Sequence, residues 1–338
     1  MSCALREGGW NRLSAPLLLL LPLVVQGFPD EASGMVAVDS KLAAVWPDAI
    51  VPFWTAPGGL IPTEPASIEG GFVVGAGSTL YSLSASTGRV VWRASMPGRI
   101  FSPTVSGNRV FVGTEAGTVA ALDLHGGRRI WAVALEGWIY SPAVVGNAVL
   151  VTGRSPLVRA LHIDSGELLW EQSLPNEAVY RPIHTPVAGV VVTTFSGHVL
   201  ALDPPTGRTK WAHREAIAQH SPVVSGGLLV FRGFDGRVTA RSAEDGHVLW
   251  RAESGITGVQ LESDGRYVVL FHGTHDIRLL HALSGSQLGV FSAGDEHVER
   301  AWIVNDHVQA LSRGGTATLP RRIKVHRWAI NSSQERLR

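Results

Sequence analysis

Apolar and polar residues alternate with a period of two along most of this chain, in runs of four to six residues interrupted by glycine-bearing turns. That period predicts strands, because successive side chains of a strand point to opposite faces. Residues 102–133 serve as the type unit. Pro103 opens a first strand at 102–105, a position where a missing N–H is tolerated. Gly107-Asn108 accept the positive φ of a tight turn and lead to a second strand at 110–113. Glu115-Ala116-Gly117 turns the chain into a third at 118–122, and Gly126-Gly127 into a fourth at 129–132. The expected unit is a four-stranded antiparallel meander.

The unit recurs. Gly, three residues and then Trp end at Trp92, Trp131, Trp170, Trp211 and Trp250, in steps of 39, 39, 41 and 39 residues. A period of this length marks one supersecondary unit copied many times. A small sheet with two apolar faces must bury both, so copies pack face to face, and strand twist arranges them around an axis. The fold class expected is therefore all-β, a single β-propeller.

Glu64-Pro65, Ser102-Pro103, Ser141-Pro142, Thr185-Pro186 and Ser221-Pro222 read as the starts of successive copies, which makes the loop after Trp170 five residues longer than its counterparts. Gly289 stands 39 residues after Trp250, so the sixth copy lacks its Trp, and residues 299–330 supply most of a seventh. Trp54 lies 10 residues before Glu64, which reads as a displaced repeat end. An N-terminal strand at 50–54 is expected to complete the C-terminal blade and close the ring, hiding its edges. Seven blades result. Trp328, 39 residues after Gly289, leaves eight as the alternative.

Composition agrees with many short strands and tight turns: 45% hydrophobic residues, 38 glycines and only 17% charged residues. The first 27 residues differ, with Arg6 and Arg12 ahead of an apolar stretch over 13–25, and read as a signal peptide cut near Gly27. The stretch is short for a membrane span. Residues 28–49 are then a lead-in, 50–330 the propeller and 331–338 a flexible tail. Without residues 1–27 the charge balance is 27 basic against 27 acidic. Nucleic acid, which demands a concentrated positive field, is not an expected partner. The only cysteine, Cys3, lies in the signal, and Phe28 stands where a lipidated cysteine would be, so a soluble extracytoplasmic protein, most simply periplasmic, is expected.

Ala-Leu-Asp-x-x-x-Gly-x-x-x-Trp, at residues 121–131 and 201–211, resembles the repeat of PQQ-type, quinoprotein-like β-propellers. The Asp is kept at Asp123 and Asp203, while Ser84, His162, Ser242 and His281 replace it elsewhere, so those turns need other hydrogen-bond partners. Among that group the resemblance implies, as functional model, the BamB-like assembly factors of the Gram-negative outer membrane. The same resemblance implies a second reading, a periplasmic oxidoreductase or redox accessory. There the quinone PQQ would stack on a Trp floor, Ca²⁺ would sit on carboxylate and amide side chains, and an Asp would act as base.

The residues themselves favour no enzyme, cofactor or metal. Asp235, Asp264 and Asp276 are scattered singly in turns, without the paired carboxylates that acid–base work or Ca²⁺ requires. His272-x-x-His275-Asp276 has metal-like spacing, but on a strand or turn these side chains need not converge. Trp54, Trp92, Trp131, Trp170, Trp211 and Trp250 recur as a packing position should, each ring filling a wedge between blades.

The connections between copies vary more. Arg99, Phe101, Trp138, Tyr140, Tyr180, Arg181, His184 and His220 lie on loops that emerge at one face. Aromatics with arginine are the composition of a contact surface. The function expected is a scaffold for a protein partner, monomeric by itself, with a glycan-binding module as a further alternative.

Overall fold

The computed structural model describes residues 36–37, 60, 63–178, 180–215, 220, 222–254, 260–273, 276–314 and 322–330. The expected signal at 1–27, Trp54 with the strand expected at 50–54, Ser221, His275 and the expected tail at 331–338 lie outside the described residues.

Among the described residues, seven four-stranded antiparallel sheets follow one another. Sheets 1 to 6 span residues 66–95, 104–134, 143–173, 183–214, 223–253 and 260–291. Sheet 7 takes three strands from residues 297–329 and its fourth from Val36–Ala37, which pairs with Val325 and Lys324. The two ends of the chain thus meet in one sheet. The strand that does this belongs to the 28–49 stretch.

First strands converge on the axis: Ala66–Ile68 touches Thr104–Ser106, which touches Ala143–Val145, which touches Ile183–Thr185. The fourth strands form the outer wall. Each sheet is apolar on both faces and serves two cores. In sheet 2, Val110, Val112, Ala120 and Leu122 pack with Val73 and Leu80 of sheet 1. Phe111, Val119 and Ala121, one residue out of phase, pack with Val149, Val151 and Leu161 of sheet 3.

The Gly-x-x-x-Trp phrase is two halves of one contact between neighbouring sheets. The indole N–H of Trp92 donates to the Leu124 carbonyl at 2.7 Å, and Trp131, Trp170, Trp211 and Trp250 do the same to Ile163, Pro204, Ala243 and Ala282 at 2.8 to 3.2 Å. Beneath each ring lies the glycine of the next phrase: Gly127 under Trp92, Gly166 under Trp131, Gly207 under Trp170, Gly246 under Trp211 and Gly285 under Trp250.

Gly289 occupies the Trp position of sheet 6, in register with Leu279. The wedge there is filled instead by Phe291 against Trp328, ring centroids 5.4 Å apart. Trp328 sits within the strand Arg322–Ala329 of sheet 7, paired with Val308, so it begins no further blade.

The loop after Trp170 is one residue longer than its counterparts, not five. The connection after Trp170 runs over residues 174–182, nine residues against eight at 96–103 and 135–142. Arg181-Pro182 takes the place of Ser102-Pro103, and Thr185-Pro186 ends the first strand of sheet 4 instead of opening it. The prolines misled because both suit a strand terminus.

Turns without the repeat's Asp use local substitutes. Asp123 accepts from the backbone N–H of His125 and Gly126. At the equivalent sites the His162 ring accepts from the Asp164 N–H and the Ser242 hydroxyl from that of Glu244.

Candidate functional site

The connections between sheets and the turns joining second to third strands share one face. Backbone hydrogen bonds tie them together: Glu115 N–H to the Arg99 carbonyl, Arg154 N–H to that of Trp138, Phe195 N–H to that of Glu177 and His220 N–H to that of Arg232. Side chains from both kinds of loop therefore converge there.

Two clusters form. In the first, Phe101 meets Tyr140 edge-on at 4.8 Å and lies 6.2 Å from Trp138. Arg154 stacks over Trp138 at 4.0 Å and Arg99 over Phe101 at 5.8 Å, Arg99 also pairing with Glu115 at 2.9 Å. In the second, His220 stacks on Phe234 at 4.4 Å and contacts Tyr180 at 4.7 Å. Arg232 stands close enough to oppose a proton on His220 and to draw one from Tyr180.

Burial dominates the electrostatics. It pulls His220 down to about 4, with Arg232 adding to the effect, so the ring is neutral at pH 7. It raises the Tyr180 phenol, against the influence of Arg232 and with that of Tyr140. The Tyr140 N–H donates to the Thr152 carbonyl and the Thr152 hydroxyl to the Tyr180 carbonyl, so the two clusters adjoin.

Arg181 is solvent-accessible, yet desolvation lowers its pKa, with Glu64 acting in opposition. The connections lead directly into the first strands, which converge on the axis. Glu64 lies just before the first strand of sheet 1 and Arg181 just before that of sheet 4. The clusters stand at the channel mouth.

Of the eight rim residues, Arg99, Phe101, Trp138 and Tyr140 come together in the first cluster and Tyr180 and His220 in the second. Arg181 lies at the mouth. His184 lies exposed in Ile183–Thr185, in register with Val190, and joins neither cluster. Sequence reasoning missed Arg154, Arg232, Phe234 and Glu64. Phe195 and Phe234 are exposed in the turns where sheet 2 has Glu115-Ala116, and that substitution was the available signal.

The arrangement offers stacking, hydrogen bonding and positive charge. Among the described residues no three His, Cys, Asp or Glu side chains are grouped to hold a metal ion. The repeat tryptophans are wedged between sheets with their N–H groups bound.

A family model described as outer membrane protein assembly factor BamB matches residues 36–137, 115–266 and 187–313. The chain belongs to that family. Among solved structures, BamB from Moraxella catarrhalis is similar over 76% of this chain and 81% of its own, at 19% identity and a TM-score of 0.59. The computationally designed protein Ika8 is similar over 78% of this chain and 83% of its own, at 18% identity and a TM-score of 0.67. At such identities these likenesses establish the propeller fold. No curated protein matches the chain. The BamB family match reaches from Val36 of the closing strand through sheets 1 to 6 and into sheet 7, stopping before its strand Arg322–Ala329.

Proposed function

We propose that this protein is an exported, non-enzymatic propeller that docks a protein partner at its channel mouth, as a scaffold in outer-membrane protein assembly. Membership of the BamB family supports the assembly role, and the basic and apolar pattern of residues 1–27 supports export. One observation carries the docking site: two aromatic and arginine clusters, built from loops of different sheets, adjoin at the mouth. Rigid rings flanked by guanidinium groups are the anchors that dominate protein interfaces.

Photo-crosslinking from position 140 in the native envelope tests this. A single dominant protein adduct is expected, and it disappears when Tyr180→Ala is combined with Arg181→Ala. An adduct that survives both changes shows that the partner sits elsewhere.

A further inference from the structure

The outer wall carries a feature that the mouth does not explain. Several arginines of the propeller are ion-paired, as in Arg109 with Asp164, Arg159 with Glu171, Arg237 with Glu253 and Arg300 with Glu262. The arginines at the fourth strands of sheets 1 and 2 are not. Arg89 and Arg93 flank Val90 and Val91 in sheet 1, and Arg128 and Arg129 precede Ile130 in sheet 2, all seven exposed. Val91 is 63% exposed. Among the described residues none of these four guanidinium groups makes an ion pair or a side-chain hydrogen bond, while the neighbouring Asp123 is engaged by Asn108 and by backbone N–H groups.

The two strands adjoin. Gly127, which immediately precedes Arg128, lies against the indole of Trp92, which sits between Val91 and Arg93. Wedges between sheets open outward, so side chains from both faces of an outermost strand reach the wall. Two neighbouring outer strands thus carry four positive charges and three exposed aliphatic side chains, with no carboxylate in either strand. The limit of this arrangement is visible in sheet 3. There the equivalent aliphatics Leu168 and Leu169 are just as exposed but flanked by Glu167 and Glu171.

We propose that the outer wall of sheets 1 and 2 docks onto an anionic lipid surface. Arginines pair with headgroup phosphates, and Val90, Val91 and Ile130 enter the boundary between headgroups and acyl chains. Charge complementarity selects this occupant: an acidic leaflet matches four unpaired cations, and apolar residues on the same strands gain nothing from a purely aqueous polyanion.

Vesicle flotation with the full chain tests it. Binding is expected to vesicles of about one part phosphatidylglycerol to three parts phosphatidylcholine, not to phosphatidylcholine alone, and it should be lost in about 1 M salt. Each arginine near such a surface changes partitioning about fivefold, so Arg128→Gln with Arg129→Gln should weaken binding about 25-fold. Val91→Asp should also weaken it, whereas Leu168→Ser on sheet 3 should not. No flotation with anionic vesicles, or flotation unchanged by the arginine variants, overturns the proposal. So does retention on heparin without flotation, which would mark a site for soluble polyanions. Because Tyr180→Ala with Arg181→Ala leaves this wall intact, failure here and failure at the mouth are told apart.

Discussion

Gly127 lies directly beneath the indole of Trp92: a Cβ at this glycine would stand 2.5 Å from Cε3, and the backbone there has φ +66°. The relationship repeats around the ring, so the glycine is as much a part of the packing as the tryptophan. Gly127→Ala should force the ring out of its wedge and strain the backbone, costing roughly 2–4 kcal/mol. Gly107→Ala is the control, with φ +55° but nothing within 4 Å of the added methyl. It should cost only about 1–2 kcal/mol for the left-handed backbone. Denaturant midpoints of the two variants measure the difference.

The indole N–H groups give a second expectation. Trp250→Phe keeps a large ring but leaves the Ala282 carbonyl without its 2.8 Å partner. A loss of about 1–3 kcal/mol should follow, the usual penalty for an unsatisfied buried group. Equal stability of the variant and the parent would mean that the ring alone holds the wedge.

The wedge between sheets 6 and 7 depends on a different tryptophan. Trp328 packs on Phe291 where Gly289 leaves the repeat ring missing, and it stacks on His326 with planes 4° apart. Trp328→Ala should cost at or below the low end of the roughly 3–5 kcal/mol typical of such truncations, because the ring is partly exposed. Protease cleavage within residues 297–329 should rise with it, since sheet 7 would lose part of its packing on sheet 6.

These contacts show what the sequence could and could not display. Trp92 and Gly127 are visible as a period, since each sits at a fixed place in every copy, and the strands around them alternate cleanly. The pairing of one copy's Trp with the next copy's Gly is a relation in space and leaves no separate mark. Residues that break the period were harder to place. Thr185-Pro186 imitated a strand start, while the true equivalent, Arg181-Pro182, lacked the serine of its counterparts. At the mouth, Tyr180 and His220 were accessible to reasoning because connections vary in a repeat protein. Arg232 and Phe234 belong to a turn inside a copy, and only the hydrogen bond from the His220 N–H to the Arg232 carbonyl brings them under the histidine.

His220 supplies a pH test of the mouth. Its folded pKa, about 4, lies below the ordinary histidine value near 6.5, because burial and Arg232 disfavour the imidazolium. The unfolded chain therefore binds a proton at this site before the folded chain does. Stability from this group is fully present above pH 6.5, declines as the pH falls toward 4, and changes no further below that. His220→Phe should keep the stack on Phe234 and remove this part of the dependence. The expected result is a smaller drop in denaturant midpoint between pH 7 and pH 5 than in the parent. Parallel profiles for the two proteins would show that the ring is protonated equally easily folded and unfolded, and that the mouth does not desolvate it.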